Sequence, residues 1–253
     1  MKVLLSPAKS IRSTSLEGNF PFTAPFFLND AEKLMGKMKK LSAKKIMDIM
    51  HVSQEIAELN VERNQAWSVE NHEKSTDTPI TSFSGEVYRG FDFESLAISQ
   101  YNRLQDTVRI LSGLYGVLKP FDRMQSYRLE MGTKWEITPK IKNNYLFWKD
   151  KPTNFLKNEL QSDELVVNLA STEYSKVIQF KSIKNKVITP VFKDFRNGNL
   201  SVVMMFAKHA RGEMARWIVD QHIQHEEELK LFQGGGYQWD AINSTETEWV
   251  FIR

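Results

Sequence analysis

Apolar positions along the chain recur at two different spacings, and their alternation predicts a mixed α and β fold. The run Lys2-Val3-Leu4-Leu5 is almost wholly apolar and stops at Ser6-Pro7, where proline removes a backbone donor, so a short buried strand is expected. The segment up to Pro25 carries Pro7, Gly18 and Pro21 among Ser, Thr and Phe residues and reads as a long packed or functional loop. From Asn29-Asp30 the spacing changes to three and four. Leu34, Met38 and Leu41 share one helical face, Ser42 is placed to cap a second helix with Ile46, Ile49 and Met50 inward, and Ser53 a third with Ile56, Leu59 and Ala66 inward. Three short helices are therefore predicted over 30–66.

Another helix is expected over 94–104, followed by the apolar stretch Val108-Arg109-Ile110-Leu111. A further helix over 145–160 has Pro152 near its start or at a break. Strands are predicted at 165–169 and at 187–195 and 200–206, the last two flanking Asn197-Gly198, a strong hairpin signal. A helix over 207–222 and a strand over 248–252 complete the pattern. The fold class expected is α/β (mixed α+β), a single domain over 1–253 with a central mixed sheet flanked by helices, because strand signals lie at both ends of the chain.

Composition narrows the chemistry. With 41% hydrophobic residues and 26% charged, the chain can bury a core, and the absence of cysteine excludes disulfides, thiolate metal sites and cysteine nucleophiles. No apolar run has the length of a membrane span, and the cysteine-free, leaderless pattern points to a cytoplasmic protein with no membrane partner. The formal charge of +3 hides an uneven distribution. Residues 1–118 hold 14 basic and 14 acidic side chains, residues 119–216 hold 18 and 10, and residues 217–253 hold 2 and 7. The middle segment thus carries a net +8, an asymmetry that suits a polyanionic partner as well as scattered solvated lysines.

Several familiar motifs are missing: there is no P-loop, no G-x-G-x-x-G and no G-x-S-x-G. Gly234-Gly235-Gly236 suits either an anion-binding nest of backbone N–H groups or, the favoured reading for a bare glycine triplet, a turn requiring positive φ. The five histidines form no ligand signature, so no metal is expected, and with the nucleotide-binding motifs missing no other cofactor is expected either. Lys33, Lys37, Lys40 and Lys44 recur at helical spacing, either as a phosphate-contacting stripe or as a solvated face.

Six blocks stand out in order along the chain. They are Ser6-Pro7-Ala8-Lys9, Ser84-Gly85-Glu86-Val87-Tyr88-Arg89-Gly90, Leu111-Ser112-Gly113-Leu114-Tyr115-Gly116-Val117-Leu118-Lys119-Pro120, Tyr127-Arg128-Leu129-Glu130-Met131-Gly132, Asn168-Leu169-Ala170-Ser171-Thr172-Glu173-Tyr174 and Ala207-Lys208-His209-Ala210-Arg211-Gly212. Together they closely resemble the YaaA family of peroxide stress-response proteins. The resemblance implies a single α/β domain with a basic cleft, a role in limiting peroxide and iron damage, and DNA binding through a helix-hairpin-helix-like element. In such an element backbone N–H groups of a Gly-rich hairpin face a phosphate. Gly113 and Gly116 are the candidates, although two residues rather than one separate them, and a plain turn between a strand and a helix is the alternative.

The charged residues of these blocks supply the other candidates. Lys9, Arg89, Arg128, Lys134, Lys208 and Arg211 come from distant segments, and each sits beside a Gly or Pro or at an expected element end, where side chains can converge on an anion. Tyr88, Tyr115, Tyr127 and Tyr174 are candidates either for stacking on bases or for core positions with satisfied hydroxyls. The leading expectation is sequence-independent binding of double-stranded or distorted DNA in a basic cleft. The alternative is an enzyme acting on a small phosphate- or carboxylate-bearing substrate there, with Glu130, Glu173 and Tyr174 as its catalytic groups. Glu86, Asn168 and Ser171 add the acid, amide and hydroxyl functions that motivate this second expectation.

Overall fold

Strands from both ends of the chain lie side by side in one eight-stranded sheet, as seen in a computed structural model that describes all residues except 15–17, 19 and 197. In chain order they are β1 (Lys2–Leu5), β2 (Val108–Ser112), β3 (Gly116–Leu118), β4 (Val166–Asn168), β5 (Val187–Arg196), β6 (Asn199–Ser201), β7 (Gln238–Asp240) and β8 (Glu248–Ile252). Their spatial order is β7, β8, β5, β4, β1, β2, β3, with β6 paired to β5. β1 runs parallel to both β2 and β4, β4 to β5, and β5 to β8, whereas β3, β6 and β7 are antiparallel to their neighbours. The central strands are buried almost throughout, which is why their sequences read as continuous apolar runs rather than alternations.

Pro190 lies inside β5, where a missing donor would normally break a ladder. Thr189 donates its N–H to the Thr247 carbonyl on the β8 side. The Pro190 nitrogen therefore faces β4, whose pairing has already ended at Val167 opposite Ile188. Arg109 is fully buried on β2 and is held by a fork-to-fork pair with Glu159, at 2.6 and 3.1 Å, and by the carbonyls of Gln105 and Val108.

The three expected early helices form at Leu28–Met38, Ala43–Met50 and Gln54–Ala66, and Ser42 and Ser53 cap the second and third by accepting from Lys45 N and Ile56 N. The inward face of the third differs from the expectation. Ile56 and Leu59 are 36% and 43% exposed, and Ala57, Asn60 and Asn64 are buried instead. The expected helix over 94–104 is broken into turns at Phe93–Ser95 and Ile98–Gln100 before helix Tyr101–Thr107. The segment 145–160 divides into helices Asn144–Trp148 and Lys151–Glu159, with Pro152 in the first turn of the second, where its missing N–H is tolerated. The expected strand at 200–206 ends at Ser201, because helix Met204–Asp220 takes up the rest of that segment, with Val203 as its N-cap. The β5–β6 hairpin forms with Gly198 at φ +82, and Asn197 of the expected turn lies outside the described residues.

Helix Met204–Asp220 packs on the short helix Glu86–Phe91 by backbone contact. A Cβ on Gly212 would stand 1.9 Å from the Val87 carbonyl oxygen, and one on Gly90 would stand 2.1 Å from that of His209. The two glycines thus face each other's helix, and any larger side chain would push the helices apart. Gly212→Ala should therefore cost about 1–3 kcal/mol or more in urea unfolding. Gly36→Ala, in helix Leu28–Met38 with open space around its Cβ, should gain about 0.4–1 kcal/mol in the same measurement.

His72 is buried against Trp67 and Tyr115, and burial, with a smaller contribution from the Arg123 charge, lowers its pKa from 6.5 to about 4. A depressed folded pKa contributes stability that is complete above the unfolded value and is lost as pH falls through the folded one. Relative to His72→Phe, the wild-type protein should lose up to about 3 kcal/mol of unfolding free energy between pH 7 and pH 4.

Candidate functional site

The parallel strands β1 and β4 end side by side, and the loops that leave their carboxyl ends form one wall of a cleft of about 300 Å³. This edge of an open α/β sheet is where ligands are generally received. Ser6-Pro7-Ala8-Lys9 follows β1, and Leu169 and Ser171 follow β4. The opposite wall comes from Ser84-Gly85-Glu86 at the start of helix Glu86–Phe91 and from Lys208 and Arg211, one turn apart on helix Met204–Asp220. A two-residue ribbon, Ser10–Ile11 against Phe83–Ser84, joins the two walls.

Hydroxyls fix the strand ends. The buried Ser6 Oγ accepts the Ser171 backbone N–H at 2.8 Å and lies 3.2 Å from Ser171 Oγ, while the Tyr88 hydroxyl donates to the Ser6 carbonyl at 3.0 Å. Asn168 accepts from Ala170 N and donates to Thr189 Oγ1, so the turn after β4 has its own clamp. Tyr88 and Tyr174 both line the cleft, and burial first, then neighbouring tyrosines and, for Tyr174, Glu173 and Glu130, raises each phenol well above its ordinary pKa. Both therefore stay protonated at neutral pH.

Charges are distributed unequally between the walls. Glu173 Oε1 accepts the Gly132 N–H at 2.9 Å, which turns its carboxylate toward the backbone of that loop. Glu86 pairs with Arg89 and lies 3.5 Å from His209 Nδ1. Glu130 is held by Lys9 at 2.8 Å and by Arg128 at 3.4 Å. Lys208 and Arg211, by contrast, take part in none of the ion pairs or hydrogen bonds found among the described residues, and Arg211 Nε is buried without a partner. Burial lowers the Arg211 pKa below the usual guanidinium value, so the charge is held in the site at a desolvation cost.

The candidates named from sequence fall into three groups. Lys9, Lys208, Arg211, Glu173 and Tyr174 line the cleft, and Arg128 and Glu130 line a small adjoining cavity that shares Lys9 and Tyr174 with it. Arg89 points into a neighbouring cavity with Arg12 and Glu94. Lys134 stands apart, exposed on the ribbon Lys134–Thr138 with Ile141–Asn143.

Gly113 and Gly116 belong to a different environment from the one expected. They bound the turn between two strands, β2 and β3, not a turn leading into a helix, and the whole turn is buried. Gly116 has φ +68 with the Trp148 ring against it, and a Cβ on Gly113 would meet the Leu129 carbonyl at 2.1 Å. Packing rather than phosphate approach accounts for both glycines. Tyr115 and Tyr127 are likewise core residues. Tyr115 accepts from Trp67 Nε1 and Gln125 N, and Tyr127 shares a 2.6 Å hydrogen bond with Ser112, which leaves neither ring free to stack on a base. The lysines at 33, 37, 40 and 44 are exposed and divided between helix Leu28–Met38, the turn after it and helix Ala43–Met50, so they form no single helical stripe, and none of them lines the cleft.

Ser6 was inside a recognised block, but nothing in its sequence context marked it as the residue that ties two strand ends together. His209 lies between Glu86 and Glu213, at 3.5 and 3.8 Å, and was visible in sequence only as one more unclustered histidine. Among the described residues no three His, Asp or Glu side chains gather at metal-binding distance, and no helix is long and apolar enough to cross a membrane.

Comparison with known proteins carries this description further. The family model described as "Peroxide stress protein YaaA" matches residues 1–243. The chain belongs to this family. Its relatives include a UPF0246 protein of Flavobacterium psychrophilum, 43% identical over 253 residues and covering all of both chains. A UPF0246 protein of Neisseria meningitidis is 41% identical over 255 residues, covering 100% of this chain and 98% of the relative. The family's description ties the chain to the response to peroxide stress.

Removing the Ser6 hydroxyl leaves the Ser171 N–H without its acceptor. Ser6→Ala should cost about 1–3 kcal/mol in chemical unfolding, and Tyr88→Phe, which removes the donor to Ser6, about 0.5–1.5 kcal/mol.

Proposed function

We propose that this YaaA-family protein acts in the cytoplasm during peroxide stress by binding DNA without sequence specificity in the cleft at the ends of β1 and β4, and so limits damage by peroxide and iron. The observation that carries the reading is the pair Lys208 and Arg211, two cations one turn apart that face the cleft with no carboxylate partner among the described residues. An unpaired, partly desolvated guanidinium is costly to keep unless an anion completes it, and a phosphodiester offers the oxygen geometry that its planar fork suits. Lys9 adds a third positive charge at the rim, moderated by Glu130. The excess of 18 basic over 10 acidic residues in 119–216 supports a polyanion over a neutral ligand.

Such contacts hold the sugar-phosphate backbone and leave base edges unread, which accounts for binding without sequence preference. A second reading draws on the volume of the cleft and on the Glu86 and Glu173 carboxylates within it: an enzyme acting on a small phosphate-bearing molecule, with Glu173 and Tyr174 at the reacting atoms. Glu130 belongs to the same reading as a proton carrier, with Lys9 and Arg128 holding its carboxylate in place.

Fluorescence anisotropy with a labelled duplex separates the two. On the DNA reading, log affinity falls linearly with log salt, with a slope of roughly −0.9 per phosphate contacted. The double variant Lys208→Gln, Arg211→Gln should lower the steepness by about 1.8 and leave Tm nearly unchanged. Absent or salt-insensitive duplex binding, with retained binding of a nucleoside monophosphate, would instead support the small-substrate reading.

A further inference from the structure

β3 is an edge strand of the sheet, and helix Lys151–Glu159 packs against it. Beside them lies a cavity of about 530 Å³, larger than the cleft and with no lining residue in common with it. Its apolar lining comes from Val117 of β3, Phe155 of the helix, and Ala24 and Phe26 of the loop that precedes helix Leu28–Met38. Phe26 is 69% exposed, yet its ring is held edge-on to Phe27 and tilted against Phe155, with both centroids 4.9 Å away. A large ring left in water beside an apolar hollow marks a surface that another group can cover.

One carboxylate at this cavity has no counter-ion. Asp122 is buried; its Oδ1 accepts the Thr23 hydroxyl at 2.5 Å and its Oδ2 the Lys119 backbone N–H at 2.7 Å. None of the ion pairs found among the described residues includes it. A carboxylate has about four acceptor positions, so each Asp122 oxygen retains one. Glu159, the other carboxylate in the lining, is neutralised twice, by the Arg109 fork at 2.6 and 3.1 Å and by Lys119 Nζ at 3.1 Å. The one ammonium that lines the cavity is therefore already committed to Glu159. Burial raises the Asp122 pKa to about 6, against the opposing effects of the Thr23 and Lys119 hydrogen bonds and of the Lys119 and Arg109 charges.

The wall that carries Asp122 is built in advance. Thr23 donates its N–H to the Phe121 carbonyl at 3.1 Å and accepts the Arg123 N–H at 2.8 Å, and its hydroxyl oxygen also accepts from Gln105 Nε2 at 2.7 Å. Gln105 Oε1 in turn accepts the Phe121 N–H at 2.8 Å. Apolar walls and a fixed, uncompensated polar group are the features of a small-molecule site, and the volume suits one.

We propose that this cavity binds a small organic cation, a protonated primary amine carried on an aromatic ring or a short apolar chain. The ammonium completes the acceptor positions of Asp122 with a charge-assisted hydrogen bond, and the apolar body covers Phe26, Phe155 and Val117. An anion of the same shape meets the Asp122 charge and is rejected, and a neutral alcohol leaves that charge uncompensated. The site is separate from the cleft and does not depend on the DNA reading.

The test uses the full chain and three probes that share one ring and a short chain: phenethylamine, 2-phenylethanol and phenylacetate, each titrated by isothermal calorimetry. Phenethylamine should bind at one site about tenfold or more tighter than 2-phenylethanol, and phenylacetate should not bind. Between pH 7 and pH 5 the amine stays protonated while Asp122 takes up a proton, so the affinity for phenethylamine should fall about tenfold and that for 2-phenylethanol should stay level. Asp122→Asn should abolish this pH dependence and weaken the amine about tenfold. Because Asp122 is buried, Phe26→Ala serves as a second variant at an exposed position: it should leave Tm nearly unchanged and weaken phenethylamine roughly fivefold. Equal binding of the alcohol and the amine, or an amine affinity that does not change with pH, would overturn the choice of a cation. Unaltered amine binding in Phe26→Ala, or no saturable binding of any probe to the wild type, would remove the site altogether.

Discussion

The close approach of two helices through facing glycines is the constraint on which the rest of the architecture depends. Gly90 and Gly212 let helices Glu86–Phe91 and Met204–Asp220 meet backbone to backbone, each glycine set against a carbonyl oxygen of the other helix. Lys208, His209 and Arg211 occupy the same turns as the glycine contact, and Ser84-Gly85-Glu86 leads directly into the shorter helix. The separation of the helices therefore sets how far the two unpaired cations reach over the ends of β1 and β4. A change that moved the helices apart by the width of a methyl group would alter the site without touching any residue in it.

The opposite wall is fixed by a different kind of interaction. Parallel strands leave their last backbone groups unpaired at the carboxyl edge, and here side-chain hydroxyls and amides take over from the ladder. Ser6 accepts from Ser171, Tyr88 donates to Ser6, and Asn168 secures the turn after β4. One wall of the cleft is thus held by short polar bonds and the other by van der Waals contact between backbones. Acids are mostly neutralised in place, Glu86 by Arg89 and Glu130 by Lys9, whereas Lys208 and Arg211 are not, so the unbalanced charge falls where the two walls face each other.

Much of the local structure was legible because it is local. The Ser42 and Ser53 caps, the strand stop at Ser6-Pro7, the hairpin around Gly198 and the first-turn position of Pro152 all follow from bonding among near neighbours in sequence. Helix Gln54–Ala66 misled the pattern because its apolar residues, Ile56 and Leu59, face outward and its asparagines face in. A rule that sorts residues by hydrophobicity has no means of anticipating a buried polar face. The turn from Gly113 to Gly116 misled for a related reason: two glycines in a short turn serve equally for phosphate approach and for tight packing, and only the neighbours Trp148 and Leu129 decide between them.

The sequence by itself determined the fold class, the family and most of the cations that line the cleft, because apolar periodicity, conformational punctuation and the six ordered blocks are properties of the chain read in one dimension. Only the tertiary structure decided which of those cations remain unpaired. Whether an arginine is neutralised depends on which carboxylate, distant in sequence, is brought within a few ångströms of it, as Glu159 is to Arg109 across 50 residues. Arg109 and Arg211 look alike in the sequence. The fold supplies one with a bidentate partner and leaves the other facing a cleft, and the capacity to hold an anion arises from that difference.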